Sequence, residues 1–476
     1  MAKEKEFDLQ DFLADVTHDS KFHRASEAQV LHSNQKVRTP HDFLNLLFGG
    51  GTPLGAVVEM YGPPGSGKST FAYQMMGDFQ EQYPQGVSVI ADAEGSADPH
   101  RLEYMGLHPN RILRFPATYI EDTFDQITGI LKKKASNVTA RPIPVMIILD
   151  SLAALLTQAQ VEQGRTNAGG MNEKARLTKH YLAQMLPLIE EQPVLFVILN
   201  QVYTDTSGYR PKLISGGGMG LKHDIHLQLE FKLQGTQFTD DSSDVTSTVI
   251  NITKSKLSPR WNNIPIRIDV TRGGVIDKDW SFYQLLLDRG YVHSKGSWWR
   301  YNNEALEPYG ELISHVEQLH KPYRAADIQN VTIADPIIFE VFKLIMLDKI
   351  LDKYKYYQSM YGDYRAEIYN NILLQNWIRG GELPPEATLE DMLKLKAERD
   401  EIKAQEEKQK YIDECIANGV DPETGEILAD KEADGDNGEE EFVTPSTDVV
   451  MTDRVVLAEA GEEREVEPEL EDNPEE

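Results

Sequence analysis

The stretch of sequence that decides the fold runs from Val57 to Gln82 and reads VVEMYGPPGSGKSTFAYQMMGDFQEQ. Its octet GPPGSGKS, residues 62–69, matches the pattern G-x-x-x-x-G-K-[ST] in full. The octet follows an apolar strand predicted at Ala56–Tyr61 and precedes a helix predicted at Ser69–Gln82, which is the context that the pattern requires. Its glycines let backbone N–H groups surround phosphate oxygens, and the helix N-terminus adds partial positive charge. The stretch therefore predicts a nucleoside-triphosphate site.

The roles within this site follow from the side chains that end the octet. Lys68 is expected to reach the β- and γ-phosphates of ATP, and the Ser69 hydroxyl is expected to bind Mg²⁺. The alternative is a glycine-rich turn that binds nothing, but such a turn does not explain Lys-Ser at the start of a helix. The predicted ATP contacts from this stretch are Gly62, Pro63, Pro64, Gly65, Ser66, Gly67, Lys68, Ser69 and Thr70.

Two further apolar runs end in acids that suit the same site. The run Pro144–Asp150 predicts a strand whose terminal Asp150 holds Mg²⁺, directly or through water. The strand predicted at Val87–Ala91 is followed by Asp92 and Glu94, and a carboxylate at the carboxyl end of a strand can polarise the attacking water. Glu94 is preferred over Asp92 because its side chain is one methylene longer; a plain surface acid is the alternative.

The order of elements predicts the fold class. Strands alternate with helices from Gly55 to Val275, which indicates an α/β fold with a mainly parallel twisted sheet covered by helices on both faces. Further helices are predicted at Ile120–Lys134 and Glu173–Glu190, and further strands at Val194–Asn200, Thr246–Lys256 and Ile264–Val270. The expected domains are an N-terminal arm at 1–40, an ATPase core at 41–279, a small aromatic-rich unit at 280–334, a helical extension at 335–420 and an acidic disordered tail at 421–476.

Apolar residues in the N-terminal arm fall at roughly helical spacing, at Phe7, Leu9, Phe12, Leu13 and Val16. They predict a short helix that docks either on its own core or on a neighbouring subunit.

Charge and composition bound the class of protein. The chain has 476 residues, 40% of them hydrophobic, and a formal net charge of −29, which argues against a general nucleic-acid binder. Lys431–Glu476 carries 18 acidic and 3 basic residues, a net charge of −15, so the remainder can still carry a local basic groove. The single Cys415 fits a reducing compartment, the first residues lack an apolar signal-peptide region, and no apolar run is long enough to span a membrane. These observations predict a cytoplasmic protein.

The motifs, taken in order, resemble those of the RecA-like recombinases over about residues 28–303. The segments that carry the resemblance are Asn45–Thr70, Ala91–Pro99, Ile148–Ala154, Leu199–Gln201, Ser215–Lys222, Thr253–Lys256, Gly290–Val292 and Trp298–Tyr301. The segment Lys36–Thr39 and the acidic tail resemble the phage UvsX type of this family. The resemblance implies a RecA-like core and a DNA-dependent ATPase that forms a filament on single-stranded DNA and promotes strand exchange in recombination and repair.

The family's site residues carry over by position. Glu94 matches the catalytic glutamate, and Gln201 matches the residue that senses the γ-phosphate and couples ATP to DNA binding. Lys254 and Lys256 match lysines that reach the ATP of the next subunit; the alternative is a solvated sheet edge guarded against pairing. The adenine contact falls on Asp98, with Arg101 in place of a stacking aromatic residue.

Two loops are implied to bind DNA, at Gln158–Gly170 and Val202–Gly220. Both follow strands at the ligand-binding end of the sheet, and the second combines glycines with aromatic and basic residues that can stack on bases and pair with phosphates. An ordinary surface loop is the alternative. The candidate DNA contacts are Arg165, Met171, Arg176, Tyr203, Tyr209, Arg210 and Lys212.

The implied partners are single- and double-stranded DNA, further copies of the chain, and single-strand-binding and mediator proteins, with no membrane. Two rival functions share the phosphate site. A hexameric helicase motor would need an arginine finger near the end of the core and an additional N-terminal domain. A regulatory ATPase of the clock type is normally duplicated, and this sequence has one phosphate loop.

Overall fold

A large, mainly parallel sheet forms the centre of the protein. The computed structural model describes residues 32–162, 168–205, 212–216, 218–237, 245–269, 274–418 and 420–422. Within them the strands are β1 His32–Val37, β2 Thr52–Leu54, β3 Ala56–Gly62, β4 Val87–Asp92, β5 Ile112–Pro116, β6 Val145–Asp150, β7 Val194–Asp205, β8 Lys212–Ser215, β9 Leu227–Gln237, β10 Val245–Ser255, β11 Ile264–Asp269, β12 Val275–Ile276, β13 Val292–Lys295 and β14 Trp298–Tyr301.

Helices cover the sheet and continue beyond it. They are α1 Asp42–Leu47, α2 Lys68–Gln82, α3 Pro99–Tyr104, α4 Ile120–Ser136, α5 Gln158–Glu162, α6 Ala168–Glu190, α7 Gly218–Asp224, α8 Lys278–Asp288, α9 Asn303–Leu306, α10 Ala325–Ala334, α11 Pro336–Lys353, α12 Gln358–Arg379 and α13 Leu389–Ala417. In the ranges described, none of these helices is long and apolar enough to cross a membrane.

The strand order is β12-β11-β10-β9-β3-β7-β6-β4-β5, with β8 paired to β7. The six strands from β9 to β5 run parallel, and β10 to β12 continue the sheet antiparallel. The phosphate-loop strand β3 is central, and its successive residues alternate between two cores: Val57 packs on one face and Val58 on the other. This alternation explains the continuous apolar run, because both faces of a covered parallel strand are buried. The α/β prediction is therefore confirmed.

Two predicted boundaries were wrong, and one strand was not predicted. Strand β7 does not end at Asn200 but runs to Asp205, where Tyr203 lies opposite Ile214 of β8, since aromatic and β-branched residues favour extended pairing. Part of the predicted first DNA loop is helical, because α5 begins at Gln158 and α6 begins at Ala168. Strand β9 was missed, although its residues 227–233 read LQLEFKL and alternate apolar and polar side chains, the pattern of a half-buried strand.

The helical extension packs on the same core as the sheet. Ile345 of α11 and Ile372 of α12 are buried in the cluster that also contains Met60 of β3. The Tyr361 hydroxyl donates to the Leu47 carbonyl oxygen at 2.8 Å. Residues 397–422 contain the second part of α13 and a terminal turn, in which Val420 N donates to Cys415 O at 2.8 Å. The amphipathic segment at 7–16 and the acidic tail lie outside the described residues.

Candidate ATP site and DNA-facing elements

The phosphate loop leaves the N-terminus of α2 open. Gly65 and Gly67 have φ angles of 73° and 86°, which L side chains rarely adopt. Gly67 is the N-cap of α2, and no side chain bonds to the helix amides there. A Cβ atom on Gly67 would lie 2.0 Å from Ile268 Cδ1. The loop therefore needs glycine at this position, and the amides of the first turn stay free to bind an anion.

Lys68 points back into the loop that precedes it. Its Nζ donates to the carbonyl oxygens of Gly62 and Pro63 at 3.0 and 2.9 Å. Burial lowers the pKa of Lys68, although Glu94 and Asp150 oppose this shift. The ammonium group lies beside a cavity of about 350 Å³ that is lined by Pro64, Gly65, Gly67, Lys68, Ser69, Thr70, Glu94, Ser96, Arg101, Asp150, Ser151, Gln201, Thr246, Ile268 and Gly274.

Asp150 closes the metal side of this cavity. Its Oδ2 accepts hydrogen bonds from the Tyr73 hydroxyl at 2.7 Å and from Ser96 Oγ at 2.8 Å. Ser69 also bonds to this carboxyl, and burial raises the pKa of Asp150 while the bonds lower it. A carboxylate and a hydroxyl in contact are oxygen ligands of the kind that Mg²⁺ prefers. With the open helix end and Lys68 alongside, these donors fit Mg²⁺ bound to ATP.

The structure separates the two acids that follow β4. Asp92 Oδ2 accepts from Arg114 Nε and a terminal guanidinium nitrogen at 2.9 and 2.7 Å. Its two oxygens also accept from the backbone amides of Ser96 and Ala97. Burial raises the pKa of Asp92, but the bonds to Arg114 and the amides outweigh it and hold the pKa below its usual value. Asp92 is thus fully engaged in structure and does not line the cavity.

Glu94 lies in the cavity, and its Oε1 has two partners. Ser151 Oγ donates to it at 2.5 Å, and Gln201 Nε2 lies 3.4 Å away. Gln201 is the residue paired with Gly62 in the β3–β7 ladder, so β7 delivers it directly beside the phosphate loop. The carboxylate is held from two sides and lines the same cavity as Lys68 and Ser69.

The cavity and support residues that escaped the sequence prediction are Tyr73, Ser96, Ser151, Thr246, Ile268 and Gly274. Ser151 directly follows Asp150 at the end of β6, so its position next to the predicted Mg²⁺ ligand could have identified it as a site residue. Tyr73 lies one turn into α2 and had no local signal, because its hydroxyl meets Asp150 only through the packing of α2 on the sheet.

The two predicted adenine contacts differ in their surroundings. Asp98 is the N-cap of α3, and its side chain accepts from Arg101 N at 3.0 Å. Arg101 lines the cavity, whereas Asp98 is not among the lining residues. A contact between Asp98 and adenine stays a prediction.

Lys254 and Lys256 lie far from the phosphate loop of their own chain. Strand β10 passes that loop at Thr248, whose hydroxyl donates to Ser66 O at 3.2 Å. Lys254 is six residues further along, about 20 Å at 3.3 Å per residue. Its Nζ donates to the carbonyl oxygens of Lys222 and, at 3.2 Å, His223 at the end of α7. Neither lysine can reach the ATP site of its own subunit.

The candidate DNA residues are described in part. Arg176 is exposed on α6, and Tyr203 is exposed on β7. Met171 lies in α6 and Lys212 in β8, but their side chains are outside the described part. Arg165, Tyr209 and Arg210 lie outside the described residues altogether.

This geometry defines a class of protein: a P-loop ATP-binding protein with a RecA-like sheet order and a glutamate–glutamine pair at the phosphate end. The family model for the RecA N-terminal domain matches residues 29–275. The chain belongs to the RecA family, whose members are ATP-dependent recombinases.

Several curated proteins are similar to this chain. A mitochondrial DNA repair protein recA homolog of Dictyostelium discoideum is 25% identical over 283 residues, which are 59% of this chain and 60% of that protein. Protein RecA of Oleidesulfovibrio alaskensis is 26% identical over 60% of this chain and 78% of its own length. Protein RecA of Thioalkalivibrio sulfidiphilus is 24% identical over 64% of this chain and 90% of its own length.

Proposed function

We propose that this protein is a DNA-dependent ATPase that assembles into a helical filament on single-stranded DNA and promotes homologous pairing and strand exchange. The observation that carries the proposal is the pair formed by Glu94 and Gln201. Gln201 stands where β7 leaves the ATP cavity and continues into the segment at 202–220. One residue thus contacts the Glu94 carboxylate and directly precedes the predicted DNA-binding segment.

Different residues of the chain bind the phosphates, bind the metal ion and activate the attacking water. ATP would supply the phosphoryl group, and a Mg²⁺ ion bound with it would offset the charge that develops during transfer. Lys68 and the open amides of α2 hold the phosphates, while Ser69 and Asp150 hold the metal. Glu94 orients a water molecule and takes its proton, and Ser151 fixes the carboxylate in place.

The position of Lys254 and Lys256 supports assembly. Two cations that do not line the ATP cavity of their own chain are placed to serve another copy, where they would stabilise charge as an arginine finger does. The alternative is a solvated strand end guarded against pairing. A hexameric ring would place residues across interfaces in the same manner. Electron microscopy with ATP and single-stranded DNA tests the proposal: open helical filaments are expected, whereas closed rings would favour the helicase motor.

The finer assignments remain predictions. The relatives described above are bacterial and mitochondrial, so membership of the phage UvsX type rests on the segment Lys36–Thr39 and the acidic tail. Binding of duplex DNA, of single-strand-binding and mediator proteins, and a cytoplasmic location are likewise predicted from the sequence.

A further inference from the structure

A buried carboxylate that the catalytic site does not use lies in the middle of β3. Glu59 is 0% exposed and stands three residues before the phosphate loop. Burial raises its pKa, and hydrogen bonds from Ser215, Asn200 and Gln228 lower it. A buried carboxylate lowers stability unless hydrogen-bond donors satisfy its oxygens, and an apolar side chain would fill the same space without that cost. The presence of Glu59 therefore needs a reason beyond packing.

The partners of Glu59 come from three different strands. Oε1 accepts from Asn200 Nδ2 of β7 at 2.9 Å and from Ser215 Oγ at the end of β8. Oε2 accepts from Gln228 Nε2 of β9 at 2.8 Å. Gln228 Oε1 in turn accepts from the Thr253 hydroxyl of β10 at 2.9 Å. We call these five residues the Glu59 network.

Each member of the network adjoins a functional element. Asn200 precedes Gln201, and Asn200 Oδ1 accepts the backbone amide of Gln201 at 2.9 Å. Ser215 ends β8, which lies within the predicted second DNA loop, and Asn200 Nδ2 also donates to Gly216 O at 2.8 Å. Thr253 precedes Lys254. Through these bonds Glu59 is linked to Gln201, to the predicted second DNA loop and to the part of β10 that carries Lys254.

We propose that Glu59 is a positioning residue that couples DNA binding at the segment 202–220 to ATP hydrolysis through Asn200, Ser215, Gln228 and Thr253. A shift of Ser215 when DNA binds this segment changes the bonds at Oε1, which Asn200 shares. Asn200 passes the change to Gln201 and hence to Glu94. The inference rests on the proposed function, since it needs a DNA-stimulated ATPase.

The bonding pattern gives a sharp test. In Glu59→Gln the side chain has one acceptor oxygen where the carboxylate has two, and its NH₂ group meets a donor. The charge is lost, and either a loop-side bond or the Gln228–Thr253 bond must break or reverse. In the double variant Glu59→Gln/Gln228→Glu every bond is restored. The new amide oxygen accepts from Asn200 and Ser215, its NH₂ donates to the new carboxylate, and that carboxylate accepts from Thr253.

The experiment compares the ratio of ATPase rates with and without single-stranded DNA, alongside binding of a fluorescent ATP analogue. For Glu59→Gln the ratio should fall about tenfold, as expected for one lost hydrogen bond to a charged group, and the double variant should recover most of it. The matched control is Glu230→Gln, which alters a carboxylate on neighbouring β9 that bonds to Asn251 and should keep the wild-type ratio. An unchanged ratio for Glu59→Gln, or a double variant that binds the analogue yet stays as uncoupled as the single variant, overturns the proposal.

A second variant decides the case in which Glu59→Gln fails to fold. Ser215→Ala removes only the hydroxyl that joins the DNA segment to Glu59, and it should also lower the ratio. A wild-type ratio in Ser215→Ala overturns the coupling role. A wild-type protein whose ATPase does not respond to DNA would instead refute the proposed function itself, so the two failures are distinguishable.

Discussion

Gln201 Nε2 lies 3.4 Å from Oε1 of Glu94, although β7 and β4, the strands that position the two residues, are not adjacent in the sheet. Glu94 follows β4, Gln201 belongs to β7, and β6 with Asp150 lies between them. The two side chains meet across the carboxyl end of β6, beside the phosphate loop. A displacement of Gln201 would therefore disturb the Glu94 carboxylate directly.

The variant Glu94→Gln should bind ATP and DNA but hydrolyse ATP about 10²- to 10⁴-fold more slowly, because only proton transfer from water is lost. Phosphate release measures hydrolysis, and a fluorescent analogue measures binding. Glu103→Gln, on the exposed face of α3, is the matched control. Loss of nucleotide binding in Glu94→Gln would show that this carboxylate is structural or a metal ligand.

The variant Lys68→Ala should lose ATP turnover and keep its fold, because the ammonium group neutralises phosphate charge and its bonds are to loop carbonyls. Turnover and thermal unfolding are measured together. Lys132→Ala, at an exposed site on α4, should behave as wild type to within about twofold. Wild-type turnover in Lys68→Ala would refute the nucleotide site.

Mixed filaments test the role of Lys254 and Lys256 across the interface. Subunits with Lys254→Ala/Lys256→Ala should be inactive alone, as should Lys68→Ala subunits. A mixture should regain part of the DNA-stimulated activity, because some interfaces then join an intact phosphate loop to intact lysines. Full activity of the double-lysine variant by itself would contradict the assignment.

Arg114 should stabilise the fold in a pH-dependent way. The folded-state pKa of Asp92 is depressed, so its stabilisation is present above the unfolded pKa of about 3.9 and is lost as the pH falls through the folded value. Arg114→Met should lower the free energy of unfolding by about 1–2 kcal/mol at pH 7, the lower part of the range for a bond to a charged group, because the arginine is half-exposed. The difference from wild type should shrink towards pH 3.

Urea unfolding at both pH values measures this effect, with the exposed Lys133→Met as control. ATP turnover in Arg114→Met should stay within about twofold of wild type, since Asp92 does not line the cavity. A loss as large as that expected for Glu94→Gln would place Asp92 in catalysis.

Truncation after Asp430 tests the acidic tail, which is predicted from sequence alone. A segment with a net charge of −15 competes with DNA phosphates for basic loops, so removing it should tighten DNA binding and speed duplex capture. The gain should shrink as salt screens the charge. Affinity for single- and double-stranded DNA is measured across a salt series. Identical curves for both proteins would leave solubility or partner binding as the tail's role.

The sequence by itself determined the features that are local in the chain. The octet at 62–69 predicted a strand, a loop and a helix, and the structure has them because glycine conformations and helix initiation depend on adjacent residues. The apolar runs before Asp92 and Asp150 predicted parallel strands whose acids meet at one edge of the sheet. The alternation of strands and helices then sufficed for the α/β class.

The tertiary structure alone decided which side chains meet. In the sequence, Glu94 was preferred over Asp92 because its side chain is longer. In the structure, Asp92 is instead bound by Arg114, which lies 22 residues away on β5. Glu59 read as one charged interruption of an apolar strand, and its partners at Asn200, Ser215 and Gln228 come from strands more than 140 residues distant. Strand pairing brings such residues together. No local pattern encodes the contact, because each partner is compatible with its own strand whether or not the contact forms.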